Sequence, residues 1–262
     1  MKLYSFPNLG NTCYLNSVLQ CFVNDPDFKN SLESCQEELK VLLDKIDVDF
    51  TANEEYINHK FNLINVVNHF SNKFKRFQQH DAHEFLLEFL EQTGINVYGQ
   101  TKTNLICRTC RTVSSTLEKF STIDLNCEKT NLVETFMDYL NPETIHDYHC
   151  EKCKKVTVAD KKCYLWQLNK ILIIVLKKYH SKQRLVYPFN DLKIRETCSG
   201  KVVNYSLYAI LNHHGTSQMG HYNCNVKVNN NWYFIDDQNI FLNNNKINDN
   251  DNTYILFYKI AS

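Results

Sequence analysis

Apolar residues recur along this chain with two different periods, and the change of period divides it. Leu15, Val18, Leu19 and Phe22 fall at intervals of three and four, which predicts an amphipathic helix with Cys13 in its first turn. Residues 33–46 carry Leu39, Leu42, Leu43 and Ile46 at similar spacing and predict a second helix. Over 81–90, Ala82, Phe85, Leu86, Phe89 and Leu90 form one apolar face, the clearest helix of the three. From about Lys161 the pattern turns to strands. Segments 162–168, 171–176, 202–211, 222–228, 232–235 and 254–260 are rich in β-branched and aromatic residues. Tyr222, Cys224, Val226 and Val228 alternate with polar residues, and Asn229-Asn230-Asn231 supplies a turn into Trp232. The stretch 243–252, biased towards Asn, Asp and Lys, reads as a solvated loop before the last strand. No internal repeat is present. A helical front and a β-rich back imply an α+β protein.

Composition narrows the setting. A chain of 262 residues can bury a large core, as one domain or two small ones. Lys+Arg and Asp+Glu number 29 each, so no net charge draws it to nucleic acid or an anionic membrane. No apolar run reaches the ~18–20 residues that span a bilayer, and the start lacks a secretory pattern. The expectation is a soluble intracellular protein, cytoplasmic or nuclear. Eleven cysteines, an odd count, then argue for metal binding or catalysis over a disulfide framework. Of only six glycines, Gly10, Gly215 and Gly220 flank the segments with candidate chemistry.

Cys13 follows a glycine turn, with Asn11 and Thr12 ahead of it as possible helix caps. The unpaired N–H groups and dipole of a helix start favour a thiolate there, and a thiolate is a nucleophile. The alternative is a small cysteine packed under the helix. His221 stands between a glycine loop (residues 215–220) and an alternating strand. One hairpin later, a strand ends in Asp236-Asp237. If the two strands pair, an aspartate can reach the His221 ring, giving a nucleophile, a base and an orienting carboxylate. Taken singly, the histidine reads equally as a surface or core residue and the aspartates as a turn. Asn8 has an amide that can donate to an oxyanion, with backbone N–H groups as a second donor, or it can simply shape the loop as an Asx-turn. Cys107-x-x-Cys110 and Cys150-x-x-Cys153 read as a closed, structural four-thiolate zinc site, with unligated thiols or a redox pair as alternatives.

Together these segments resemble the ubiquitin-specific proteases, a papain-like family of cysteine enzymes. The resemblance rests on the cysteine box from Asn8 to Gln20 and on a histidine box. The latter runs from Tyr205 to Ala209, through His213-His214-Gly215 and Gly220-His221-Tyr222, to the segment Trp232 to Asp237. Between them lie the helix motif from Gln78 to Leu86, the core strand Leu172 to Tyr179, Tyr187-Pro188-Phe189, and the half zinc site from Tyr148 to Cys153. The resemblance implies a papain-like fold with a helical thumb (1–100), zinc-tied β fingers (about 101–165) and a β-rich palm (about 166–262). It implies hydrolysis at the C-terminal glycine of ubiquitin through a thioester, with ubiquitin conjugates as partners, a monomeric state and no room for accessory domains. Cys13 would be the nucleophile, His221 the general base, Asp236 its orienter and Asn8 the oxyanion donor. Asp237 would share the polarising role, undivided by sequence. Gln79 and Asp81 would hold the ubiquitin tail, and Gly220 and Tyr222 would line a channel for its two glycines. Ser5-Phe6-Pro7 and Asn169 depart from the family pattern, away from the chemistry.

Overall fold

The computed structural model describes residues 3–25, 63–178, 184–216, 219–243, 247 and 251–261. The helix predicted over 33–46 lies outside the described residues. The helices are α1 (Cys13–Val23), α2 (Ala82–Thr93) and α3 (Leu132–Leu140), with a further helical stretch over 63–69. The strands are β1 (Gly99–Cys107), β2 (Val113–Phe120), β3 (Thr122–Asn126), β4 (Glu143–Cys150), β5 (Lys155–Gln167), β6 (Ile171–Lys177), β7 (Leu192–Arg195), β8 (Val202–Gly215), β9 (Gly220–Val228), β10 (Asn231–Asp236), β11 (Asn239–Leu242) and β12 (Thr253–Ile260). They fall into two compact units, one of residues 1–96, 173–176 and 207–258, the other of 97–172, 177–206 and 259–262. Among the described residues no helix is long and apolar enough to cross a membrane.

In the first unit, α1 is not the amphipathic surface helix that its apolar spacing suggests. Every residue from Cys13 to Phe22 is buried, including Asn16, Ser17 and Gln20. A helix buried all round must satisfy its polar side chains internally. Gln20 donates to the Asp237 carbonyl at 2.7 Å, and Asn24 exchanges bonds with the Tyr4 backbone at 2.7 and 3.0 Å. Helix α2 begins where expected. Asp81 caps it by accepting from the N–H groups of His83 and Glu84, and Gly94, at φ 63°, closes it with an N–H bond to the Leu90 carbonyl. Its buried face joins an aromatic cluster in which Phe85 lies 5.1 Å from Phe70, 5.3 Å from Phe74 and 5.6 Å from Tyr14.

The strands of this unit run in the order β11-β10-β9-β8-β12-β6. The β9–β10 hairpin turns through Asn229 and Asn230, both with positive φ (50° and 64°), the two-residue geometry that asparagine tolerates. That turn fixes the register: Ile235 pairs with Cys224, while across β8–β9 His214 pairs with His221 and Gly215 with Gly220.

The second unit holds an antiparallel sheet in the order β2-β1-β5-β4. Periodicity did not announce β1 to β4 or α3. Strand β2 is exposed along nearly its whole length and is largely polar, so it lacks the apolar alternation that marks a half-buried strand. Strand β5 starts seven residues before the predicted segment, at Lys155. Strand β7 pairs with the first residues of β8.

Candidate active site

The chain enters α1 through a loop with two successive left-handed residues, Gly10 at φ 100° and Asn11 at φ 57°. A side chain at Gly10 would meet the Phe77 ring at 2.4 Å, so only glycine fits. Asn8 organises the loop as an Asx-turn: its Oδ1 accepts from the N–H of Gly10 at 3.0 Å and of Thr12 at 3.3 Å. Neither expected cap is made. Thr12 occupies the N-cap position without a side-chain cap bond and spends its Oγ1 on the Leu9 N–H at 2.9 Å, while Asn11 donates to the Phe77 carbonyl at 2.7 Å. The first-turn N–H groups of α1 are therefore not taken by a capping side chain. Cys13 stands on that turn, 4% exposed.

His221 lies near the start of β9, half-buried, with Nε2 at 2.5 Å from Asp236 Oδ1 at the end of β10. Its pKa is pushed up to about 9, first by a hydrogen bond with the Cys13 side chain, then, against the opposing cost of burial, by the bond to and charge of Asp236. His221 and Asp236 are thus bonded, with the Cys13 thiol acting on the same ring.

Asp237 faces elsewhere. At φ 49° its backbone is left-handed, and its carboxylate turns to the loop before α1, where Oδ2 accepts from Asn8 Nδ2 at 2.9 Å and Oδ1 from Asn16 Nδ2 at 2.8 Å. Its carbonyl also accepts from Phe6 N–H at 3.1 Å and from Gln20. The two adjacent aspartates therefore divide: Asp236 on the imidazole, Asp237 on the cysteine box. Sequence reasoning quoted Asn16 and Gln20 within that box and gave them no part. Asn16, Gln20 and Asn24 form a polar stripe at spacing four, which normally marks a solvent face.

The four residues expected to hold the ubiquitin tail come together. Gln79 Oε1 accepts from Gly220 N–H at 3.0 Å. Asp81 keeps Oδ1 for the cap of α2, while its Oδ2 accepts from Tyr222 OH at 3.4 Å and Tyr254 OH at 2.9 Å. Burial, and then Asp81, push the Tyr222 phenol up, so it stays a donor. A Cβ at Gly220 would lie 2.1 Å from His213 Nε2 and 2.7 Å from the His214 carbonyl, so the glycine is required by this protein's own half-buried imidazole and backbone. That ring stacks on Tyr222 at 4.5 Å, and burial holds its pKa below the usual histidine value. Sequence analysis quoted His213 within the histidine box without a role, and Tyr254 carries no chemical signal beyond its place in a strand.

The four-cysteine set is in the second unit. The hairpin knuckles β1–β2 and β4–β5 repeat one device: Arg111 (φ 59°) donates to the Cys107 carbonyl at 2.9 Å, and Lys154 (φ 54°) to the Cys150 carbonyl at 2.8 Å. Their sulfurs all lie within 4.8 Å of one another, with Cys107–Cys153 at 3.9 Å and Cys110–Cys150 at 3.6 Å. A tetrahedral ion with metal–sulfur bonds of about 2.3 Å needs separations of about 3.8 Å, so this donor set fits one. Arg108, paired with Asp160 and bonded to Thr144 at 3.0 Å, braces the first knuckle from outside.

The family model described as ubiquitin carboxyl-terminal hydrolase matches residues 5–258. The chain is 29% identical to the mouse ubiquitin carboxyl-terminal hydrolase 17-like protein A over 96% of its own length and 55% of that protein's. It is 26% identical to human ubiquitin carboxyl-terminal hydrolase 42 over 96% and 22%. It spans about half the length of the mouse relatives it matches. Its fold superposes, with TM-score 0.83 and 21% identity, on a chain of the SAGA Ubp8/Sgf11/Sus1/Sgf73 DUB module bound to ubiquitin aldehyde, covering 99% of this chain and 70% of that one. The module bound to monoubiquitin gives TM-score 0.84 at 21% identity, covering 99% and 69%. With a family model that matches residues 5–258, nearly end to end, this chain belongs to the ubiquitin carboxyl-terminal hydrolase family.

Proposed function

We propose that the chain is a thiol-dependent deubiquitinase that cleaves isopeptide or peptide bonds after the C-terminal glycine of ubiquitin. The observation that carries the reading is the line Cys13–His221–Asp236, with the Asn8 amide beside it. Family membership, and the ubiquitin held by the solved relatives of the same fold, support it.

Cys13 gives its proton to His221, Sγ attacks the glycine carbonyl carbon, and the carbonyl oxygen takes the charge. Asn8 uses one Nδ2 hydrogen on Asp237 and has its Oδ1 fixed by two backbone donors, which leaves its other N–H to donate to that oxygen. First-turn N–H groups of α1 supply the second donor. His221, held as imidazolium at neutral pH by a pKa of about 9, protonates the leaving amine as the C–N bond breaks. It then accepts a proton from the water that opens the thioester. Asp236 accepts from one ring nitrogen and leaves the other for Cys13.

Gln79 and Asp81 steer the extended tail, whose arginines suit the acidic face of α2, and Gly220 and Tyr222 wall its path. The cysteine set takes Zn²⁺, the ion suited to four thiolates, and ties the fingers (about 101–165), with the thumb at 1–100 and the palm at about 166–262. The ion ties two hairpins together and takes no part in the chemistry. The protein acts as an intracellular monomer on ubiquitinated proteins or polyubiquitin.

A ubiquitin with a C-terminal electrophile tests the reading. Wild type is expected to form a covalent adduct and Cys13→Ala none. A folded wild type that reacts only with other modifiers, or with nothing, overturns it.

A further inference from the structure

We infer that Asn16 is a positioning residue for this reaction, fixing the Asp237 carboxylate and, through it, the Asn8 amide. The inference rests on the activity proposed above. Asn16 lies one turn after Cys13 on a helix buried all round, and its own exposure is 0%. Its Nδ2 has three acceptors: Asp237 Oδ1 at 2.8 Å, the Pro7 carbonyl at 3.2 Å and the Phe6 carbonyl at 3.3 Å. Two hydrogens serve them, one directed at the carboxylate and one shared between the carbonyls. Both groups of acceptors lead to Asn8. Pro7 is its neighbour in the chain, and Asp237 Oδ2 accepts its amide at 2.9 Å.

The other end of the Asn16 amide has no partner: Oδ1 is buried without a hydrogen bond. Reversing the amide would set that oxygen against the Asp237 carboxylate, so the donor side faces the site by necessity. A native position that retains an unmet buried acceptor calls for a reason, and here it is the pair of donated hydrogens. Asp237 needs such holding. Its backbone is left-handed, and its carboxylate comes within 4.8 Å of ligand atoms on His221 and Asp236, one a competing partner and the other a like charge. Gln20, one turn beyond Asn16 on the same stripe, holds the Asp237 carbonyl at 2.7 Å. The helix that carries the nucleophile thereby also sets the distance and plane of the oxyanion donor.

Hydrolysis of a ubiquitin C-terminal coumarin amide by wild type, Asn16→Ala, Asn8→Ala and the double variant tests this, with iodoacetamide alkylation of Cys13 run in parallel. Alkylation forms no oxyanion. It senses the thiol, its base and the helix, and not the orientation of Asn8. Asn16→Ala is expected to lower kcat about tenfold to a hundredfold with KM within about threefold, a smaller loss than removing the donor itself. In the Asn8→Ala background the same change should cost less than about threefold, because the relay has lost its end. Alkylation should stay within about twofold of wild type. A wild-type kcat, a loss that multiplies with Asn8→Ala, or a matching fall in alkylation overturns the relay. Should Asn16→Ala fail to fold, Asp237→Ala removes the middle of the relay and must give the same pattern. A wild type that turns over no ubiquitin substrate overturns the activity, whereas a competent one indifferent to these changes overturns the relay alone.

Discussion

The two polar clusters of this protein are built in opposite ways. The four cysteines come from two short knuckles, each complete within four residues and each closed by the same left-handed residue and carbonyl bond. The proposed catalytic cluster takes Asn8, Cys13 and Asn16 from one end of the chain and His221, Asp236 and Asp237 from the other. Its bonds close over separations as large as 229 residues. A ligand cage needs only sulfurs at tetrahedral spacing, which local turns provide. A charge-relay site needs directions as well as distances. Those come from the register of β8–β9–β10 and from a helix whose polar stripe faces inward. Substitutions in the first cluster should therefore act on stability and grip, and those in the second on turnover.

The largest expected effect is in the catalytic cluster. Cys13→Ala should lower cleavage by about 10⁴-fold or more while ubiquitin affinity, measured by titration, persists. Asn8→Ala should reduce kcat by about 10²–10³. A loss below about tenfold would hand the oxyanion to backbone amides alone. In the other cluster, Cys150→Ser or chelation should release the metal and lower Tm by about 10 °C or more. It should also weaken ubiquitin binding, while Cys13 still alkylates at the wild-type rate. Equal Tm and affinity in the metal-free form would show that the cage holds nothing of structural weight. The smallest effect is a shift along the pH axis. The imidazolium of His221, held up to about 9, is the form that protonates the leaving amine. Activity should accordingly fall as pH rises through about 9, and Asp236→Asn, which removes a raising influence, should move that limb to lower pH. A limb that stays put would mean Asp236 orients the ring without tuning it.

Much of this was legible beforehand, unevenly. Helix α2, strands β6, β8 to β10 and β12, the Asn turn before Trp232 and both cysteine pairs could be read, because each depends on local period, turn chemistry or ligand spacing, whereas the short strands β7 and β11 were not. Strands β1 to β4 were not read from periodicity: β2 is exposed and polar and carries no alternation, and β3 alternates Ile123 and Leu125 over only five residues. The environment of α1 was misjudged. Its spacing implied a solvent face, yet Asn16 and Gln20 point into the protein, where Asp237 and the carbonyls of Phe6 and Pro7 receive them. The caps offered by Asn11 and Thr12 also failed, as both side chains bond within the loop or to Phe77.

By itself the sequence determined which chemistry was on hand: a cysteine at a helix start, a histidine at a strand start, two carboxylates at a strand end, and two thiol knuckles. Short-range rules of period, turn and ligand spacing suffice for that. Only the tertiary structure decided the division of labour. Asp236 went to His221 and Asp237 to Asn8 and Asn16; Gly220 was required by His213; Asp81 spent one oxygen on its helix and the other on two tyrosines. Neighbouring side chains separate in this way because strand register and a single left-handed residue set which direction each one faces, and no local pattern encodes the partner waiting there.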